Sequence, residues 1–466
     1  MNLNQFGIIG LGVMGRNLAL NFVDNGIKLA VFNRQVPGRE VNLAQKFSTE
    51  NPGSEGFDDF EQFISSLEKP RKILMMVNAG KPVDDVISKL IPFLEPGDII
   101  MDGGNSHFSD TKRRVVYLAE KNLLFLGIGI SGGQEGARTG PSTMPGGPLE
   151  GYKEISKYID LISAKDLNNL PCSTYVGPEG AGHFIKMVHN GIEYAEMQII
   201  AEIYYLMRFM LQYTPDKISN IFYKWNVEGE GSYLLEISSK ILLIKEGNEL
   251  LLDKILDVAE QKETGGWSVK AALDLGSPLS TIATSVQTRM ISMLKSKRVK
   301  GSEIYKSIIK TPHPSSLTDE ELKSAFISSR LINHIIGFDM MKDASDKYFW
   351  NLDLSQIARI WTGGCIIKSP LMEKISYDLK SEQELLFHPD VVNILVNNHS
   401  DLSKVVSVSL LNYFPVPVLS TASSYFYSIV SGTSSANMIQ AQRDFFGAHT
   451  YRRIDKPENE YFHTDW

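Results

Sequence analysis

FGIIGLGVMG, residues 6–15, joins a four-residue apolar run to the spacing Gly10-Leu11-Gly12-Val13-Met14-Gly15. The run reads as a buried strand, Phe6–Ile9. The glycines let a strand turn sharply into a helix whose N-terminal amides face a pyrophosphate. A lone G-x-G-x-x-G is a weak signal, because glycine-rich turns produce it by chance. Here an amphipathic segment follows the apolar run, as a dinucleotide-binding turn requires.

Outward from this turn, apolar β-branched runs alternate with segments of helical period, the pattern of a parallel sheet wound on both faces. Strands are expected at Lys28–Phe32, Lys72–Val77, Asp98–Met101, Leu124–Ile130 and Thr174–Val176, with a weaker one near Gly56–Phe57. A helix is expected at Val83–Phe93, opened by Lys81-Pro82 and stopped by Glu95-Pro96-Gly97. After Gly177-Pro178-Glu179-Gly180 the β-type runs disappear and 3.6-period segments follow one another. Thr318-Asp-Glu-Glu321 is a capping-box start for one of them. The expected class is α/β plus all-α. A Rossmann-like doubly wound sheet domain (1–177) precedes a large all-helical domain (178–431) and a C-terminal tail (432–466). The tail shows no sustained periodicity. Its aromatics, Phe445, Phe446, Tyr451, Tyr461, Phe462 and Trp466, are costly in water and argue that it docks on its own subunit or on a partner.

The 466 residues carry 47 bases and 54 acids, a net charge of −7. No global positive field draws this chain to nucleic acid or an anionic membrane, so an anionic ligand has to meet a local cluster of bases. The two cysteines, Cys172 and Cys365, form no CxxC pair, and the nine histidines form no HExxH. No metal signature results. No basic leader and no apolar run of about 18–20 residues is present, so the cytosol is the default location.

A nicotinamide cofactor is distinguished at the end of the second strand. NAD enzymes place an acid there for the ribose 2′-hydroxyl. This chain has Asn33-Arg34, and a guanidinium there can pair with the 2′-phosphate of NADP. The loops Val77-Asn78-Ala79-Gly80 and Asp102-Gly103-Gly104-Asn105-Ser106 leave later strands on the side where open sheets bind ligands.

The chemistry is carried by GAGHFIKMVHNGIEYAEMQ. Lys186, His189, Asn190 and Glu193 fall at i, i+3, i+4 and i+7 of an otherwise apolar helix and share one face. A salt-bridged, partly exposed stripe is one reading. Four different hydrogen-bonding side chains directly after a dinucleotide domain favour an active-site wall. A lysine desolvated there can act as base once its pKa falls by roughly 3 units, about 4 kcal/mol. Ser131-Gly132-Gly133-Gln134-Glu135-Gly136 offers amides for a carboxylate. Lys262 with Thr264, Arg289, and Arg443 with His449 are candidate anion contacts, though each alone reads as a surface charge.

The segments GLGVMGRNLALN, FNR, DGGNSHFSDT, ISGGQEGARTGPSTMPGG, GAGHFIKMVHNGIEYAEMQ, QKETGGW, IWTGGCII and QAQRDFFGAHTY resemble, in order and along essentially the whole chain, the 6-phosphogluconate dehydrogenase family. The resemblance implies NADP-dependent, metal-independent oxidative decarboxylation of 6-phosphogluconate to ribulose 5-phosphate in the pentose phosphate pathway. It implies a homodimer in which each tail reaches into the other subunit. Lys186 would be base and then acid, and Glu193 would protonate the enol. Asn105, Ser131, Gly132, Gly133, His189, Asn190, Tyr194, Lys262, Thr264 and Arg289 would hold substrate, joined by Arg443 and His449 of the partner chain. Gly10, Leu11, Gly12, Val13, Met14, Gly15, Asn33, Arg34, Gln35, Val77, Asn78, Ala79 and Asn105 would hold NADP. Three positions depart from the family pattern: Asn78 for a lysine, Gln35 for a threonine and Thr362 for an arginine. A shorter β-hydroxyacid dehydrogenase would share the glycine turn and the Lys-x-x-x-Asn spacing, but not so long a helical region.

Overall fold

The computed structural model describes residues 3–260, 263–308 and 317–466. Seven strands form one sheet: β1 (Phe6–Ile9), β2 (Leu29–Phe32), β3 (Ser54–Phe57), β4 (Lys72–Met75), β5 (Ile99–Asp102), β6 (Leu124–Ser131) and β7 (Ser142–Gly146). Their order is β3-β2-β1-β4-β5-β6-β7. The first six pair in parallel, and β7 runs antiparallel along β6. Strands β1, β2, β4 and β5 are buried throughout, as expected when helices cover both faces. One face packs Phe6, Leu18, Phe22, Met101 and Ile128, and the other Phe63, Ile73, Ile87 and Ile100.

One expectation about the sheet and one about a helix bound are corrected. Thr174–Val176 is not a strand. The chain there meets β7 through the isolated bridges Thr143↔Ser173 and Gly146↔Gly177 and a hydrogen bond from the Val176 amide to the Pro145 carbonyl. The seventh strand is instead Ser142–Gly146, within a stretch whose prolines and glycines read as loop. An edge strand tolerates Pro145 because only one side of it needs a full ladder. The helix expected at Val83–Phe93 begins two residues earlier, at Lys81, with Pro82 in its first turn, and ends in a 3₁₀ turn at Ile91–Phe93.

Beyond the sheet the described residues are mainly helical, with a two-stranded hairpin, Lys245–Glu246 with Glu249–Leu250, and a single bridge, Tyr451 with Phe462, in the tail. The hairpin's turn residues, Gly247-Asn248, are a signal that the surrounding helical pattern masks. The helix Ala181–Tyr205 runs through the middle of this region and packs with Asp319–Tyr348 around Phe184, Ile192, Ile199, Ile335 and Phe338. Thr318 and Glu321 form the anticipated capping box. No helix among the described residues is long and apolar enough to cross a membrane.

The helix Ala181–Tyr205 lies directly against β6 because the strand reads Leu-Phe-Leu-Gly127-Ile-Gly129-Ile-Ser131. Glycines two apart leave one face without side chains. A Cβ on Gly129 would sit 2.6 Å from the Cβ of Lys186, and one on Gly182 would sit 2.2 Å from the Gly127 carbonyl. Bare backbone on both partners therefore sets how close the lysine comes to the end of β6.

The tail also differs from expectation, since Ala436–Gly447 is a helix. Asp444, its one buried residue, accepts hydrogen bonds from the Thr450 and Thr464 amides, His463 Nδ1 and the Trp466 indole. Phe445, Phe446, Tyr461 and Trp466 remain more than half exposed.

Candidate active site

The turns after β1, β2 and β4 enclose a cleft of about 450 Å³. Gly10 (φ +98°) passes so close to β4 that a Cβ would be 2.5 Å from the Met76 carbonyl, and one on Gly15 would be 2.0 Å from the Gly10 carbonyl. Gly12 differs: a Cβ there would meet nothing within 4 Å. Two glycines thus serve tight packing and the third leaves its side of the cleft open, the shape needed for a pyrophosphate to approach backbone amides. Leu11, Asn33, Arg34, Val77 and Asn78 also line the cleft. Val13, Met14, Gly15, Gln35, Ala79 and Asn105 are not among its lining residues. Val13 and Gln35 are exposed, Met14 packs on the sheet core, and Gln35 is tied to Asn42 and Asp58.

Asn33 is a brace. Its Oδ1 accepts the Leu11 amide at 2.9 Å, and its Nδ2 donates to the Arg34 carbonyl and to Glu40. Arg34 projects into solvent and stands 3.4 Å from Glu40. Glu40 was not singled out from the sequence, where it lies six residues beyond Arg34 in a Pro-Gly loop with no periodicity to place it. These groups fit NADP, with a glycine-lined opening for the pyrophosphate and a guanidinium at the end of β2 for the 2′-phosphate.

Asn105 is exposed on the loop after β5. That loop is shaped from below by the buried Asp102, which accepts hydrogen bonds from the Ser106 hydroxyl (2.6 Å) and the Gly104 amide. Arg114, also buried, bridges Asp102 and Asp84.

The polar stripe gathers as its spacing predicts. Lys186 is 7 % exposed, His189 fully buried and Asn190 8 % exposed. Burial lowers the Lys186 pKa, opposed by the attraction of Glu193. Burial and the neighbouring Lys186 hold His189 well below the usual histidine range, so it is a neutral imidazole. Its Nε2 meets the Ser131 hydroxyl at 3.1 Å and its Nδ1 meets Asn190 Oδ1 at 3.3 Å, while Glu193 Oε2 lies 3.8 Å from Nδ1. The ring of Trp361 stands edge-on to the imidazole, 5.3 Å away. Glu193 is one-fifth exposed. Next to it the Arg289 guanidinium lies 3.5 Å over the Tyr194 ring, and burial lowers the arginine's pKa.

Gly132 (φ +123°) and Gly133 (φ +63°) turn the chain after Ser131, and a Cβ on Gly132 would be 2.6 Å from the Gly364 carbonyl. Cys365, beside that glycine, is a buried thiol whose pKa burial pushes up, so it stays neutral near Lys186. Sequence spacing gave no signal for Trp361 or Cys365, which reach the stripe from more than 170 residues away. Lys262 lies outside the described residues, as does the side chain of Thr264. Arg443 and His449 are exposed on the tail, where Arg443 donates to Gln440 and His449 packs on Phe446.

A dinucleotide cleft at the carboxyl ends of a Rossmann sheet, followed by a helix that buries a lysine at the end of β6, defines a nicotinamide-dependent dehydrogenase. The NAD binding domain of 6-phosphogluconate dehydrogenase matches residues 5–177, and the 6-phosphogluconate dehydrogenase C-terminal domain matches 182–466. The chain belongs to the 6-phosphogluconate dehydrogenase family. It is 43% identical to the NADP(+)-dependent, decarboxylating 6-phosphogluconate dehydrogenase of Bacillus subtilis (strain 168), covering 100% of both chains. It is 41% identical to the decarboxylating enzyme of Chlamydia pneumoniae, covering 99% of this chain and 97% of that one. The Plasmodium falciparum 6-phosphogluconate dehydrogenase, solved in apo form and with NADP+ or 6-phosphogluconate, superposes with a TM-score of 0.94 at 37% identity, over 99% of this chain and 100% of that one.

Proposed function

We propose that this chain oxidises 6-phospho-D-gluconate with NADP and releases carbon dioxide and ribulose 5-phosphate, the oxidative decarboxylation of the pentose phosphate pathway. The carrying observation is the desolvated Lys186 packed against β6 at Gly129, with Glu193 two turns along the same helix face.

NADP, bound in the glycine-lined cleft, supplies the hydride acceptor. Lys186 takes the C3 hydroxyl proton, which a lysine with a lowered pKa can do at neutral pH. The resulting 3-keto acid loses its carboxylate as carbon dioxide. Lys186, now protonated, donates to the developing enolate oxygen, and Glu193 protonates C1. Ser131 and the amides of Gly132 and Gly133 hold the carboxylate, while Asn105, His189 and Asn190 orient hydroxyls. Neutral His189 suits that role, because an imidazolium would oppose protonation of Lys186. Tyr194, Lys262, Thr264 and Arg289 hold the phosphate, completed by Arg443 and His449 from the second copy of a homodimer. The exposed aromatics of the tail support that docking.

Rates of reduced-nicotinamide formation with 6-phosphogluconate and with unphosphorylated gluconate test the reading. Strong preference for the phosphorylated acid is expected. No turnover with it, or equal turnover of both, overturns the reading.

A further inference from the structure

Far from the stripe along the chain, the helices Pro370–Asp378 and Pro389–Leu411 meet at a corner where Asp378, His388 and Asp390 place one donor atom each within 4.8 Å of one another. Asp378 is 1 % exposed, yet neither of its carboxylate oxygens accepts a hydrogen bond from a described residue. A buried, unsatisfied carboxylate is costly, and this one also sits at the negative end of its helix, where a positive charge is favoured. His388 Nδ1 lies 3.6 Å from Asp378 Oδ2. That nitrogen accepts the Asp390 amide at 3.3 Å, a contact that takes up its one lone pair, so Nδ1 donates no hydrogen bond to the carboxylate. The carboxylate is thus left without a donor among the described residues, and a cation that draws the Nδ1 lone pair away from the long 3.3 Å amide contact would satisfy it. Metal–ligand bonds of about 2.0–2.2 Å in tetrahedral geometry set donor atoms roughly 3.4 Å apart, close to the 3.6 Å between Nδ1 and Oδ2.

We propose that Asp378, His388 and Asp390 form a binding site for one divalent transition cation of the Zn²⁺ class, which clips the two helices together outside the catalytic machinery. One imidazole nitrogen and two carboxylates make a borderline donor set suited to zinc more than to magnesium or calcium, which prefer oxygen alone. Asp390 is exposed at the rim and gives the ion an entry path. Lys374, 3.4 Å from Asp390, is the side chain that the ion displaces. The competing arrangement is a protonated His388 paired with Asp378, which needs no metal.

Zn²⁺ alone, titrated calorimetrically into the full-length chain after removal of bound metal by chelator, separates the two. The expected result is one saturable site per chain that weakens by at least about tenfold in both His388→Gln and Asp390→Asn. Neither substitution touches the stripe, so dehydrogenase turnover without added metal stays at the wild-type level and certifies folding. No saturable binding, or binding that either substitution leaves unchanged, overturns the proposal.

Discussion

Replacing Lys186 with Met removes the ammonium and keeps an unbranched chain of similar length, so the buried space stays filled. Two consequences separate. The charge is desolvated in the folded chain, and losing it relieves that cost; the melting temperature is expected to hold or rise. A positioned general base contributes about 10²–10⁴ in rate, or roughly 3–5.5 kcal/mol of transition-state stabilisation. Turnover is expected to fall by that factor. NADP affinity is expected to stay near wild type, because the cleft lining contains no residue of the helix Ala181–Tyr205. The pH profile adds a second readout. A base must be deprotonated in the free enzyme, so kcat/KM rises with pH through the Lys186 pKa. Burial moves that limb below the ordinary lysine range, and the variant should lack it. The assay is reduced-nicotinamide absorbance under saturating substrates, with cofactor affinity and melting measured on the same preparation. Turnover within about threefold of wild type at an unchanged melting temperature would refute the assignment.

Arg34→Asp is expected to lower the NADP-to-NAD rate ratio by about 10–100-fold, the worth of charged hydrogen bonds to the 2′-phosphate; an unchanged ratio shows that Arg34 does not read it. Glu202 is nearly fully buried, and burial outweighs its hydrogen bonds from the Val418 and Leu419 amides, pushing its pKa up to about 7. Its folded pKa thus exceeds its unfolded one, so this stability is full below the unfolded pKa and lost as pH rises through about 7. The magnitude is on the order of 3 kcal/mol. Thermal melts of Glu202→Gln should lose that decline, and an identical pH slope sinks the idea. Gly129→Ala pushes a Cβ into Lys186 and is expected to cost about 1–3 kcal/mol with a larger proportional loss of turnover; wild-type melting and rate together contradict the packing account. Mixing Lys186→Met chains with Arg443→Ala chains should restore activity at some sites of a shared-site dimer, and absence of rescue argues that each chain works alone.

What was legible in the sequence follows from where the information is local. β1 was readable because a buried parallel strand is an apolar run bounded by glycine, and the stripe because side chains three and four apart share a helix face. β7 was hidden by Pro145, which local propensity penalises and an edge position permits. The helix Ala436–Gly447 was missed for the opposite reason: it buries only Asp444, so no apolar periodicity marks it. Glu40 beside Arg34, Arg114 under the Asp102 loop, and Cys365 near Lys186 depend on how distant segments come together, which single-sequence patterns do not carry. Gly129 was visible as a letter, but its meaning required knowing which helix crosses it.

The knot around Asp444 bears on how the tail would find a second subunit. Burial pushes this carboxyl up, but the bonds from His463, Thr464, Trp466 and Thr450 prevail and hold it down at about 2, so the knot stays ionised at any physiological acidity. A terminal segment tied to its own helix in this way meets a binding surface as a rigid prong. It forfeits little rotational freedom on contact, and its aromatic faces are already aimed outward before any encounter. In the proposed dimer such a tail would dock at a rate set by diffusion and orientation and not by the slow ordering of a coil, so chains diluted apart would regain the proposed pairing quickly when concentrated again.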